Sequence, residues 1–124
     1  MKKISIYFKE LTFQAQLNES PTAEAIWKQL PIENQANTWG EEIYFEIPVD
    51  MPQESDAREI LAVGELGYWP VGQAFCIFFG PTPVSTDDRP RAYSPVNIIG
   101  NVLGEYSLLK EIQNGEQVKI MAIE

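Results

Sequence analysis

The sequence predicts an all-β domain: a closed, mainly antiparallel β-barrel with one or two short helices. Apolar and polar residues alternate in segments such as 3–8, 11–17 and 42–47, which is the period of a strand with one buried face. A clear helical period is confined to residues 20–30. Because short strands leave exposed edges, a closed barrel is the favoured arrangement for about seven to nine of them.

Length and composition are typical of a single folded domain over residues 1–124. Of the 124 residues, 44% are hydrophobic and 22% are charged, which suffices for one hydrophobic core. The formal net charge of −9 repels phosphate backbones and anionic lipid, so we expect neither nucleic acid nor a membrane as a partner. No apolar run of about 18 residues occurs, and Met1–Lys3 leads into a strand pattern rather than a signal peptide.

The residue types that carry much of enzyme chemistry are scarce. The chain has no histidine, which removes the commonest general base and metal ligand. Its single cysteine, Cys76, excludes an intrachain disulfide and a multi-cysteine zinc site. We therefore expect no metal and no cofactor, and a reducing, cytoplasmic location.

The first third of the chain predicts a hairpin and then a helix. The alternating segments 3–8 and 11–17 are separated by about two residues, which is typical of a hairpin. Ser20-Pro21 is a typical helix start, apolar residues then recur at helical spacing, and Pro31 ends the helix. The polar residues 32–38 are compatible with an edge strand.

The middle of the chain predicts three strands. Residues 42–47 alternate cleanly, and residues 59–63 are compatible with a short strand. Residues 67–72 form an aromatic turn flanked by glycines, which leads into the most apolar stretch, residues 74–79. A continuous apolar run of that length indicates a strand buried on both faces.

The last third predicts a long loop followed by strands. Residues 80–95 contain four prolines, and a structureless loop of that length in a small domain is usually functional or mobile. Residues 96–102 and 117–123 have strand character, and residues 106–112 predict one or two helical turns.

Two segments are candidates for binding. Glu42, Tyr44 and Glu46 share one face of a strand. They form a wall suited to a cation or an amine, or to acid/base chemistry if one glutamate is buried, or else a solvated outer face. A slip of one residue in register would reverse the side that they face. Tyr68 and Trp69 lie in the aromatic turn, where they either line a pocket or close one end of the barrel.

Three long motifs carry a resemblance to a known family. They are residues 67–83, which read GYWPVGQAFCIFFGPTP, residues 39–48 and residues 94–102. Together with the order of elements, these motifs resemble a small prokaryotic group of uncharacterised proteins with a cyclophilin-like fold. The resemblance covers nearly the whole chain and implies a closed, mainly antiparallel barrel with short helices.

Cyclophilins that act as peptidyl-prolyl isomerases offer a second comparison. Residues 72–78 look like a cyclophilin strand, whereas residues 44–47 place Glu46 where the catalytic arginine of the isomerases would be. The pocket histidine of the isomerases has no counterpart. Arg89 or Arg91, from the proline-bearing loop, would have to supply the cation that stabilises the twisted amide.

Three functions remain open at this stage. The sequence also leaves open whether the protein is an enzyme. The first is a binding module that holds a small molecule or a proline-containing peptide in an aromatic pocket. The alternative is a weak or divergent peptidyl-prolyl isomerase, and a subunit that acts by forming a homodimer is a third possibility. The residues expected to bind the ligand are Glu42, Tyr44, Glu46, Tyr68, Trp69, Phe78 and Arg89.

Overall fold

A computed structural model describes residues 2–123 of the chain, and these residues form a mainly antiparallel β-structure. The strands are β1 Lys3–Tyr7, β2 Thr12–Leu17, β3 Ile32–Gln35, β4 Asn37–Thr38, β5 Glu42–Glu46, β6 Arg58–Ile60, β7 Glu65–Trp69, β8 Ala74–Phe78, β9 Arg91–Leu103 and β10 Gln117–Ala122. The helices are α1, Pro21–Gln29, and a 3₁₀ helix, Ser107–Glu111. Neither helix is long and apolar enough to cross a membrane, a finding that applies to the described residues.

The strands form a sheet with the order β3-β10-β1-β2-β9-β7-β8-β5-β4, and β6 adds to β9 beside this path. Every pairing is antiparallel. Strands β1 and β2 form the predicted opening hairpin, with Ile6 opposite Phe13. The all-β class is therefore confirmed.

Closure of the barrel is not confirmed. The sheet runs as an open path whose two ends are β3 and β4, so residues 32–38 do form edge strands, as their polar sequence predicted. The end that carries β3 approaches β5 through a side chain: Asn34 Nδ2 donates to the carbonyl oxygen of Glu46 at 2.7 Å. This side-chain hydrogen bond links β3 to β5, which do not pair through their backbones within residues 2–123.

Helix α1 covers one face of the sheet, and its start has the predicted cap. Ser20 is extended, and its Oγ accepts the N–H of Ala23 at 3.2 Å. Ala23 and Ile26 are fully buried in the main hydrophobic core, which they share with residues from most strands. The helical period therefore predicted both the limits of this helix and its buried face.

A second, smaller apolar cluster lies apart from the main core. Its buried members are Leu61, Ala74, Cys76, Phe78, Ala92 and Val96. Strand β8 contributes to both clusters because its successive side chains point to opposite sides, and all five of its residues are buried. The prediction of a strand buried on both faces is confirmed.

Two boundaries differ from the sequence prediction. Residues 67–69 were expected in the aromatic turn, but they belong to β7, and the turn comprises residues 70–73. Residues 91–95 were expected to belong to a long loop, but β9 begins at Arg91 and contains Pro95. Strand β6 pairs with β9 at Val96 and Arg91, and the register shifts between these two positions. A bulge of this kind accommodates a proline that has no N–H to donate, so Pro95 does not end the strand.

Candidate ligand-binding site

A pocket of about 230 Å³ opens on the side of the sheet opposite the main core. Its lining residues are Trp39, Glu42, Tyr44, Trp69, Ala92, Tyr93 and Val96. They come from β5, β7 and β9 and from the turn before β5. The pocket is therefore built mainly on strands that also carry the core on their other face.

Strand alternation brings the floor of the pocket together. Glu42 pairs with Phe78, and Tyr44 pairs with Cys76, which also pairs with Gly67 on β7. Gly67 has no side chain to fill the site, and a Cβ atom there would lie 2.9 Å from Val96 Cγ2. The glycine lets Val96 and Phe78 pack closely beneath the pocket.

Three aromatic side chains form the walls. The Tyr93 ring lies between two tryptophans, with its centroid 6.2 Å from that of Trp39 and 6.1 Å from that of Trp69, and both contacts are edge-to-face. Edge-to-face packing at this distance is a favourable arrangement of aromatic rings. Tyr93 is nevertheless 72% exposed, so it stands at the mouth of the pocket.

The Trp69 ring is held from two sides. Its Nε1 donates to Ser94 Oγ at 2.6 Å, which fixes the ring against β9. Gly72, in the turn between β7 and β8, also lies against the ring. A Cβ atom at this position would come within 2.5 Å of Trp69 Cε3. The wall formed by Trp69 is therefore pre-positioned rather than free to rotate.

Glu42 places a carboxyl group in this apolar setting. Its residue surface is only 6% exposed, and Oε1 has no hydrogen-bond partner within the described part of the chain. Burial raises the pKa of Glu42 to about 7, and a hydrogen bond with the Cys76 thiol opposes that rise. Burial, with Glu42 nearby, also raises the pKa of Cys76. Near neutral pH, the Glu42 carboxyl is thus divided between its neutral and ionised forms.

Guanidinium groups are absent from the lining of this pocket. Each of the three arginines of the chain forms an ion pair elsewhere: Arg58 with Glu65 at 2.8 Å, Arg89 with Asp87 at 2.7 Å and Arg91 with Glu59 at 3.1 Å. A metal site is also not found: between residues 2 and 123, no group of three or more Cys, Asp or Glu side chains is placed so that it could hold a metal ion.

Comparison with known proteins identifies the family. The model of the family described as cyclophilin-like matches residues 2–121. The chain belongs to the cyclophilin-like family. The solution structure of a hypothetical protein from Archaeoglobus fulgidus is similar to this cyclophilin-like chain, with 36% sequence identity and a TM-score of 0.83. The likeness covers 97% of this chain and 93% of the other. Among curated proteins, no match is found.

The cyclophilin-like structure brings three of the expected site residues together. Glu42, Tyr44 and Trp69 all line the pocket, and Phe78 is buried in the smaller apolar cluster beside them. The face that carries Glu42 is thus not simply a solvated outer face. That these residues bind a ligand stays a prediction.

The other expected residues lie elsewhere. Tyr68 faces the main core, where its hydroxyl donates to the carbonyl oxygen of Val49 at 2.6 Å. Glu46 is exposed at the end of β5, and Arg89 is exposed in the loop, where it pairs with Asp87. Alternation along β7 turns Tyr68 away from Trp69, Glu46 lies at the end of β5 beyond the pocket, and none of the three residues lines the aromatic pocket.

Sequence reasoning missed two walls of the pocket. Trp39 was noted only as part of a family motif, and Tyr93 fell in the segment expected to be a loop. Alternation in the segment from Arg91 to Val96 was a usable signal, because Ala92 and Val96 are buried there. The prolines in and near this segment favoured a loop, so the strand was not predicted.

Proposed function

We propose that this cyclophilin-like protein is a binding module that holds a small molecule in the aromatic pocket. One observation carries the proposal: four aromatic rings and one buried carboxyl line a cavity that is built mainly on strands. Ligand sites are commonly apolar and aromatic, with a few well-placed polar groups. At about 230 Å³, the cavity suits a small ligand or one side chain of a peptide.

Contacts in the pocket favour binding over isomerase chemistry. Rotation about a prolyl bond is helped by a donor that stabilises the twisted amide. Glu42 has a hydrogen to donate only in its neutral form and carries no positive charge in either form, and the guanidinium groups of Arg89 and Arg91 are bound to carboxylates outside the lining. A proline-containing peptide is consequently a weaker candidate than a small molecule.

The chain contains its own reporters for a test. Of its three tryptophans, Trp39 and Trp69 line the pocket, whereas Trp27 lies on α1 beneath Lys2. Benzylamine, benzyl alcohol and ethylbenzene are suitable probes, because they share one ring and differ in the attached group. In a ¹⁵N-¹H NMR titration, we expect at least one probe to shift the indole signals of Trp39 and Trp69 and to leave that of Trp27 in place.

Two variants complete this experiment. Trp69→Ala removes a wall, so it should abolish the shift of Trp39, whereas Trp27→Phe changes a tryptophan outside the pocket and should preserve binding. A pocket that responds to none of the three probes at millimolar concentration would contradict the proposal. Equal shifts at all three indoles would do the same, because they would indicate non-specific contact.

A further inference from the structure

We infer that the ligand of this pocket is an organic ammonium ion, bound through an N–H that it donates to Glu42. The inference rests on the proposed function, and it adds the chemical class of the ligand. It follows from the placement of one carboxylate oxygen, from the charge around it and from the rings that enclose it.

An oxygen without a partner is the first argument. Glu42 Oε1 is buried and receives no hydrogen bond from any described residue. A buried polar atom left in this state is rare in folded proteins, because its lost hydration is not replaced. A ligand that brings an N–H into the pocket would supply the missing bond. Ligand binding would then offset the unfavourable free energy of burying Glu42.

Charge is the second argument, because it selects a cation over a neutral donor. No lysine or arginine of the described residues lines the pocket, so an ionised Glu42 has no counter-charge from the protein. Charge-assisted hydrogen bonds are the stronger class, and a buried carboxylate gains most from one. The net charge of −9 adds a long-range attraction for cations.

The aromatic walls are the third argument. Trp39, Tyr93 and Trp69 surround the pocket mouth, and the face of such rings attracts an ammonium group. An anionic ligand would be repelled by the ionised carboxylate of Glu42. Among the described residues, Glu42 supplies the one carboxylate in the lining, which is too few oxygen ligands for a hard metal cation.

Affinity for such a ligand should depend on pH in one direction. The titratable groups around Glu42 are the Cys76 thiol on β8, the Tyr44 phenol on its own strand and the Tyr93 phenol on β9. At pH 6, the raised pKa of Glu42, about 7, leaves its carboxyl mostly protonated. The ammonium ion must then displace a proton, so its affinity falls as the pH falls.

The experiment measures the affinities of benzylamine, benzyl alcohol and ethylbenzene at pH 8 and at a series of lower pH values. At pH 8 we expect benzylamine, which is protonated there, to bind about tenfold or more tightly than benzyl alcohol, because only the amine carries a charge to Glu42. Below about pH 7, its affinity should fall by roughly tenfold for each pH unit, whereas that of benzyl alcohol should stay constant. This pH profile needs no variant, so it holds even if a substitution affects folding.

A matched pair of variants isolates the carboxylate. Glu42→Gln keeps the shape and removes the charge, so it should cancel the preference for benzylamine and flatten its pH profile. Glu10→Gln removes one charge from the exposed turn between β1 and β2, so it should leave both unchanged. If benzyl alcohol binds as well as benzylamine, or if Glu42→Gln retains the preference, the ammonium inference is wrong while the binding module stands. If no probe binds, both proposals fail.

Discussion

The two faces of the segment β5-β8-β7 are made from alternate residues of the same strands, yet they differ in kind. One face is sealed: Phe45 and Phe75 stack with their centroids 5.3 Å apart, and both are fully buried. The other face carries Glu42, Tyr44 and Trp69 and opens to solvent through the pocket. The period of a strand therefore separates a stabilising surface from a candidate binding surface within a few residues.

Polar groups show the same contrast. On the core face, the Tyr68 hydroxyl is fully used, since it donates to the Val49 carbonyl oxygen and accepts the N–H of Met51 at 3.2 Å. On the pocket face, Glu42 Oε1 has no partner among the described residues. A satisfied group holds a fold together, whereas an unsatisfied one of similar burial is available to a ligand. The pocket face is therefore the one to test for ligand binding.

The largest expected effect of a substitution lies on the core face. Phe75→Ala would leave a cavity in the main core and remove the stacking with Phe45, so the free energy of unfolding should fall by about 3–5 kcal/mol. Trp69→Ala, on the partly exposed pocket face, should cost clearly less. Urea denaturation of both variants would measure this, and equal losses would break the comparison between the two faces.

A second prediction concerns Glu42 and the dependence of stability on pH. Its pKa is about 7 in the folded protein, against an ordinary value of 4.5. The folded state therefore holds this proton more tightly, so the associated stability is present below pH 4.5 and is lost as the pH rises through 7. Relative to Glu42→Gln, the wild-type protein should lose about 3 kcal/mol between pH 4.5 and pH 8.

Denaturation at a series of pH values tests this linkage. Glu10→Gln serves as the control, because its exposed carboxyl should give a stability difference that barely changes with pH. A difference between wild type and Glu42→Gln that is constant over the whole range would mean that Glu42 is solvated.

Strand alternation predicted the two faces themselves. Ile43 and Phe45 were assigned to one side of β5, with Glu42, Tyr44 and Glu46 on the other, as the structure has them. The alternation does not predict which residues of a face are buried by other parts of the chain. Glu42 is buried and Glu46 is exposed, although both lie on the same face, because the covering residues come from distant parts of the chain.

The remaining gaps have physical causes as well. Tyr68 and Trp69 are neighbours in β7 and point to opposite faces, but the sequence predicted a turn there and so did not reveal which of them meets the core. The position of Tyr93 depended on a bulge that accommodates Pro95 within β9. Local rules treat a proline as the end of a strand, whereas pairing with β6 continues across it.

A third prediction returns to the satisfied group on the core face. Tyr68→Phe removes the hydroxyl and leaves the Val49 carbonyl and the Met51 N–H without it, so the free energy of unfolding should fall by about 1–2 kcal/mol. Amide hydrogen exchange at Met51 should become faster, because this hydrogen bond protects it. Unchanged stability and exchange would indicate that the loop is held by its other contacts alone.

The smallest effect on stability is expected at Gly72. A methyl group there would collide with the Trp69 ring, so Gly72→Ala should move the ring and cost less than about 1 kcal/mol, since the turn is only half-buried. The indole signal of Trp69 should shift in NMR spectra even without a ligand, and probe binding should weaken. A spectrum identical to that of the wild type would show that Trp69 is not held in the way described.

The central claim is that Glu42 is a buried carboxyl group whose Oε1 has no hydrogen-bond partner among the described residues and binds a cationic ligand. An NMR titration of the ¹³C-labelled side-chain carboxyl of Glu42 tests it directly, first in the free protein and then with saturating benzylamine. We expect a pKa of about 7 in the free protein and a clearly lower pKa with the amine, because the ammonium ion stabilises the ionised form. An ordinary pKa near 4.5 that does not respond to benzylamine would contradict the account.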